Sequence, residues 1–257
     1  MTMSDWNSTQ YMKFGEERTQ PSIDLINRLS ELEPVKVIDL GCGPGNSTHA
    51  LAQKFEHAEI LGVDASQDML KKAKFTYPEL AFQECLLPQG LSSIDGTFDL
   101  VFSNACIHWI PQQKELFYTV FDKLNPGGVF AVQIPLIQKA PFYELLYKIV
   151  GGKKWKMLSQ IHNFHNLLSE EYYDLLGRLS QSFHIWETVY YHTVSSADDV
   201  IEWYKGSGLR PYLDRLSESE KVEFLSDLRQ IIIQNYPVRE NGNIILKMPR
   251  LFFTAIK

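Results

Sequence analysis

The residues best placed to do chemistry are acids at the ends of apolar runs and glycines where a ligand would have to come close. In VIDLGCGPGNST, residues 37–48, Asp39 ends the run, and Gly41, Gly43 and Gly45 then alternate with Cys42 and Pro44. Glycine at those positions permits a tight turn and a close approach to the backbone. The stretch leaves a strand and opens a helix, the usual ligand position in an open α/β sheet. The pattern is D-x-G-x-G-x-G, and Asn46 stands where a dinucleotide fingerprint needs its last glycine. A carboxylate so near the loop disfavours a phosphate and favours a cation. A second acid, Asp64, ends the next apolar run, where it can accept hydrogen bonds from a ribose diol. An adenosine that carries a positive charge and an amino acid meets these demands, and that molecule is S-adenosylmethionine.

The elements that must hold these residues alternate. Patterning predicts strands over 35–40, 59–64, 80–83, 97–103 and 129–134, with helices over 46–55, 66–75 and 116–124 between them. The NPGG of residues 125–128 reads as a turn. Beyond it come helices over 140–150 and 169–179, a long strand over 183–193, helices over 197–216 and 219–236, and a last strand over 249–256. The expected class is α/β: a Rossmann-like, doubly wound, mostly parallel sheet with an antiparallel C-terminal hairpin and a helical cap. The expected division is an N-terminal helical segment over the pocket (1–30), a cofactor-binding core (31–193 and 245–257), and a substrate cap (194–244) inserted before the last strand.

Composition narrows the function classes. A chain of 257 residues with 44% hydrophobic content fits one large domain or a domain with an insertion. It has no apolar run of the ~18 residues a membrane span needs, and MTMSDWNSTQ lacks the basic start and apolar stretch of a signal peptide. The three cysteines, Cys42, Cys85 and Cys106, suit neither a disulfide framework nor a zinc site, so the cytoplasm is the expected compartment. A formal net charge of −6, with lysine clusters at 71–74 and 153–156 that read as solvated helix faces, argues against a nucleic-acid partner. His162 and His165 have helical spacing but no acid or cysteine beside them, so no metal is expected. Oligomeric state is left open.

The segments DWNSTQYMKFGEERTQPSIDLI, DLGCGPGNST, FSNACIHWIP, AVQIP, IWETVYYHT, WYKGSGLRPYLDRL and PRLFFTAIK extend over nearly the whole chain. Together they resemble the trans-aconitate methyltransferases, members of the class I S-adenosylmethionine-dependent methyltransferases. The resemblance implies that Asp39, Gly41, Cys42, Gly43 and Gly45 line the methionine end of the cofactor, and that Asp64 and Ala65 meet the ribose and the adenine edge. It implies that Asn104, Ala105, His108 and Trp109 form the wall near the sulfonium. Met69 either covers the adenine or packs as a core residue. The family carries an acid after the third strand. Here that stretch reads Glu84-Cys85-Leu86, with leucine where the acid is expected, so backbone groups would have to read the adenine. Thr19-Gln20-Pro21 and Pro135-Leu136-Ile137 also depart from the family, in stretches that can face the substrate.

Methyl transfer from a sulfonium to a carboxylate is an in-line displacement. A carboxyl with a pKa near ~4 is ionised at neutral pH, so no general base is expected and alignment is the main requirement. The small anionic substrate needs local cations, preferably arginine. Arg210 leads, because Pro211 biases it away from helix and marks a break in the cap. Arg18 is a second candidate, and Arg250 reads as either structural or a substrate contact. His108 with Trp109 can meet the substrate or simply wall the pocket, and Trp6 and Tyr11 can close over it or anchor the N-terminal segment. Two rival readings stand beside carboxylate methylation: the malonyl-thioester carboxyl methyltransferase of biotin synthesis, and a non-catalytic cofactor-binding protein.

Overall fold

A computed structural model describes residues 15–161 and 164–257 of the chain, with side chains from Thr19 onward. Seven strands form one sheet in the order β3-β2-β1-β4-β5-β7-β6. The first five are β1 (Lys36–Leu40), β2 (Glu59–Asp64), β3 (Ala81–Glu84), β4 (Phe98–Asn104) and β5 (Leu124–Pro135). These run parallel, as their pairings show. β6 (Ser182–Val194) and β7 (Ile244–Ile256) pair antiparallel along their whole length, and β7 also runs antiparallel to β5. After β1 the chain builds outward through β2 and β3, then returns to lay β4 on the other side of β1. That reversal opens a crevice beyond the carboxyl ends of β1 and β4, where ligands of open α/β sheets bind.

Strand alternation divides the core between the two sheet faces. Val37, Leu100, Phe102 and Phe252 point to one face and pack under α1 (Gly15–Arg28) and α2 (Asn46–Lys54). Their neighbours Ile38, Val101, Val132 and Phe253 point to the other, under α4 (Gln113–Lys123) and α6 (Ser169–Leu179). The helix between β2 and β3 is α3 (Gln67–Thr76); Ser66 caps it by accepting from the Met69 amide at 3.3 Å.

A separate apolar cluster forms a helical layer. It joins α5 (Pro141–Gly151), α7 (Ala197–Lys205), the single turn α8 (Arg210–Leu213) and α9 (Glu218–Asn235) to Ile244, Leu246 and Met248 of β7. Phe142 of α5 and Tyr204 of α7 stack with ring centroids 3.5 Å apart. The hairpin strands end on the pair Val194 and Ile244, so 195–243 is an insertion between them. Residues 137–161, which patterning groups with the sheet, pack in this helical layer instead.

Four elements differ from the sequence expectation. The NPGG stretch is the start of β5 and not a separate turn: Gly127 N donates to Lys257 O at 3.1 Å and Lys257 N to Gly128 O at 2.9 Å, which draws it into the sheet. A register shift between Phe98 and Leu100 absorbs the irregularity. β7 begins at Ile244, earlier than the apolar run suggests, because it pairs with all of β6. α4 begins at Gln113, three residues before its apolar pattern. The helix expected over 197–216 is broken between Lys205 and Arg210. Gly208 lies in the break, where a Cβ would come 2.0 Å from the Tyr143 hydroxyl oxygen, so only glycine lets the chain pass so close to α5. Arg210 itself opens α8, with Pro211 in its first turn, so the break precedes the arginine and does not include it.

Candidate functional site

The two acids of the opening pattern are both anchors of the glycine loop, in different ways. Asp39 is fully buried beneath it and accepts from the hydroxyls of Ser47 and Thr48, both at 2.7 Å, which fixes the first turn of α2. Its other oxygen, Oδ1, has no hydrogen-bond partner. Burial pushes its carboxyl up to about 6, against the lowering effect of the two hydroxyls, and Asp64 adds to the rise. Asp64 accepts from Gly43 N at 2.9 Å and from Ser66 N at 2.8 Å, so its carboxylate ties the loop to the start of α3.

Three glycines of the loop have positive φ, each for its own reason. Gly41 lies against the turn that leaves β4: a Cβ there would sit 2.2 Å from Cys106 Sγ. Gly45, the left-handed N-cap of α2, faces Tyr77 and Phe82. Gly43 has nothing within 4 Å of where its Cβ would be, and it borders an open cavity. The bare surface at Gly43 is where a ligand can reach the backbone.

The exit of β4 forms the facing wall. Ala105 has φ 52, an uncommon conformation for a residue with a Cβ, held by its amide donating to Gln133 O at 2.9 Å. The next turn carries His108 and Trp109, and Phe164 packs against both rings at 5.8 and 4.6 Å. His165 N donates to the His108 carbonyl at 2.8 Å, while Gln113 Nε2 donates to His165 O at 2.6 Å, which clamps the 164–165 segment over the turn. His108 is 3% exposed and its Nδ1 has no partner. Burial, and then the charge of Arg250, hold this imidazole well below its ordinary pKa, so it is neutral. Asn104 Oδ1 is likewise buried without a partner.

Loop, wall and helical layer enclose one cavity of about 930 Å³. It brings together most of the expected cofactor residues. Gly41, Cys42, Gly43, Asp64, Ala65 and Met69 line it, and so do Cys85, Leu86, Asn104, Ala105, His108 and Trp109. Three expected residues lie off its wall. Asp39 is beneath the loop, Gly45 is turned toward α3 and β3, and Glu84 is exposed, where it accepts from Gln67 Nε2 at 3.0 Å. Of the expected substrate residues, Arg210 lines the cavity, held by Asp214 at 3.6 Å. Trp6, Tyr11 and His162 fall outside the described residues, and of Arg18 only the backbone, in α1, is described.

Sequence reading missed part of this wall. Tyr143 of α5, Trp203 and Tyr204 of α7 and the cations Arg215 and Lys221 all line the cavity; Arg250 of β7, which the sequence left between a structural role and a substrate contact, lines it too. The segment GLRPYLDRL carried a signal for Arg215, one turn beyond Arg210. Nothing in the spacing signalled Tyr143. Burial raises the pKa of all three cysteine thiols, which makes them poor nucleophiles. Among the described residues no group of three or more His, Cys, Asp or Glu is arranged to hold a metal ion, and no helix is long and apolar enough to cross a membrane.

Comparison with known proteins accords with this geometry. A family model described as a methyltransferase domain matches residues 37–128, from β1 into β5. Among solved structures, the YcgJ protein of Bacillus subtilis superposes with a TM-score of 0.58 at 18% identity, covering 93% of this chain and 98% of that one. Phosphoethanolamine N-methyltransferase 2 of Haemonchus contortus, crystallised with S-adenosyl-L-methionine, superposes at 0.55 with 16% identity, over 93% of this chain and 52% of that one. These share the fold. Closer in sequence is the trans-aconitate 2-methyltransferase of Afipia carboxidovorans, 38% identical over 99% of this chain and 100% of its own. That of Escherichia coli O139:H28 is 38% identical over 98% of each. Identity of this extent over nearly the whole length of both chains shows that the chain belongs to the trans-aconitate 2-methyltransferase family of S-adenosylmethionine-dependent methyltransferases.

Proposed function

We propose that the protein moves the methyl group of S-adenosylmethionine onto one carboxylate of a small di- or tricarboxylic acid of the trans-aconitate type, forming a methyl ester. The observation that carries this reading is the make-up of the cavity of about 930 Å³. A bare glycine surface and the Asp64 carboxylate stand at the sheet crevice, and Arg210, Arg215 and Arg250 enter the same space from α8, the residues after it, and β7. In a chain of net charge −6, three arginines in one cavity are a local exception that suits an anion.

The residues present fit the cofactor. Gly43 puts no side chain between its backbone and the cavity, Asp64 is fixed at the end of β2, and Met69 lines the cavity while 4% exposed. The bound cofactor supplies an electrophilic methyl group. The chain's own residues do the rest. The Gly41–Cys106 contact sets the spacing between loop and wall, and Trp109, Phe164 and Tyr143 give the cavity an apolar side that keeps water out. The arginines hold and orient the acid, and alignment of this kind is worth roughly 7–11 kcal/mol of a barrier. The nucleophile is already ionised, so the reading requires neither a general base nor a metal.

The test is a panel of di- and tricarboxylates, with a malonyl thioester included, incubated with methyl-labelled S-adenosylmethionine and followed by mass analysis. A base-labile monomethyl ester of a tricarboxylate is the expected product. Transfer to the thioester alone, or to no acid, would overturn the reading.

A further inference from the structure

We propose that Arg250 and His108 form a second carboxylate-binding subsite on the sheet side of the cavity, specific for a substrate carboxylate other than the one held by Arg210. The inference rests on the carboxylate reading of the cavity and says where its selectivity for polycarboxylates arises.

Arg250 and Arg210 reach the same cavity from different bodies of the molecule. Arg250 stands on β7, in register with Pro135 of β5 and Thr188 of β6, so the sheet fixes its backbone on both sides. Its guanidinium also touches Met248 Sδ at 3.9 Å. Arg210 stands on α8 in the helical layer. One carboxylate does not need cations from two separate bodies. A substrate with several carboxylates does, and its length then sets which acids fit.

His108 marks the sheet-side subsite as built. Its ring is packed against Phe164 and Trp109, it is more than nine-tenths buried, and it lines the cavity with Nδ1 unpartnered. A buried polar atom without a partner costs free energy that a bound ligand can return. Arg250 lines the same cavity and its charge acts on this imidazole, so a ligand that suits the two is a carboxylate, which accepts from an arginine fork and from an imidazole N–H. His108 being neutral adds to this picture, because it donates without bringing a second full charge against Arg250. Arg250 on β7 and His108 on the turn after β4 line the cavity away from the glycine loop at the end of β1, so the pair is assigned to substrate.

The experiment uses matched acids that differ by one carboxyl group: a tricarboxylate, the dicarboxylate of the same chain and the monocarboxylate. The wild type, Arg250→Met, Arg250→Lys, His108→Gln, Arg210→Ala and the Arg210→Ala/Arg250→Met double variant are compared by kcat/KM, with the Kd of S-adenosylhomocysteine measured by calorimetry on each. In Arg250→Met, kcat/KM for the di- and tricarboxylates is expected to fall at least 10-fold while that for the monocarboxylate changes less than 3-fold. Arg250→Lys should recover part of the loss, since it keeps the charge without the fork. The losses at Arg210 and Arg250 should multiply in the double variant, as for independent contacts. An equal loss on all acids, a double variant no worse than the poorer single one, or a collapse of S-adenosylhomocysteine affinity in both Arg250→Lys and His108→Gln would overturn the subsite. If the wild type methylates no acid while binding S-adenosylhomocysteine, the carboxylate reading itself fails and takes the subsite with it.

Discussion

Gly41 and Gly43 are one residue apart in spacing and alike in type, yet they do different work. Alanine at 41 would put its Cβ 2.2 Å from Cys106 Sγ, so the clash falls inside the protein. Together with the left-handed φ, Gly41→Ala should cost about 2–5 kcal/mol of stability. Cys106→Gly in the same chain should return the steric part. Gly43→Ala meets no protein atom, so only the φ cost of about 1–2 kcal/mol applies, while S-adenosylhomocysteine affinity should drop at least 10-fold. Urea unfolding and calorimetry on the three variants check both halves. Asp39 gives a pH signature. Its folded carboxyl titrates near 6 against 3.8 for an ordinary one, so the folded state holds the extra proton between those values. The residue's contribution is therefore most favourable below about pH 4, declines as pH rises through about 6, and above that is a cost on the order of 3 kcal/mol. Asp39→Asn should remove that decline and be the more stable protein at pH 7.5, as read from urea midpoints at pH 5 and 7.5. A variant no more stable than wild type at pH 7.5 would show that the hydroxyls of Ser47 and Thr48 already offset the burial.

At the scale of elements, the short helix α8 carries a prediction of its own. Arg210→Ala should raise the KM for the carboxylate on the order of 10- to 100-fold, the equivalent of a charge-assisted hydrogen bond of ~1.5–3 kcal/mol, and leave the cofactor Kd within about 2-fold. Steady-state kinetics with calorimetry on one preparation decide it, and an unchanged KM would return Arg210 to a purely structural pairing with Asp214. The elements also show what can be read from a sequence. β1 and its glycine loop were legible because a short buried β-branched run, Val37-Ile38, leads into an acid and glycines at fixed spacing. The start of β7 was not, because Lys247 and Pro249 interrupt its apolar run and only pairing with β6 reveals its length. Asp39 looked like a ligand contact because an acid beside a glycine loop has the same sequence signature whether it faces the ligand or ties down the helix behind. Arg250 could not be assigned from spacing, since His108, which lines the same cavity, is far away in sequence and only the fold brings the two to one wall. Tyr143 was hidden for the same reason, lying in a helix whose packing partner is an insertion.

For the molecule as a whole, a ligand that spans loop and wall should stabilise the folded chain by mass action. S-adenosylhomocysteine at about 100 times its Kd should add ~2.7 kcal/mol to the unfolding free energy. Methyl transfer should continue in the presence of EDTA, and loss of turnover restored by magnesium or zinc would contradict the metal-free reading. The sheet order has a further consequence, for synthesis. β7 follows every other element in the chain, yet it lies inside the sheet, with β5 on one side and β6 on the other. A nascent chain that has exposed everything up to residue 243 holds β6 with no neighbour in the sheet and leaves the edge of β5 open. Such an edge is a template for pairing with another chain. The interval between the synthesis of β6 and that of β7 therefore exposes the chain to misassembly, and a chaperone that shields the slot between β5 and β6 would protect it until β7 fills that slot.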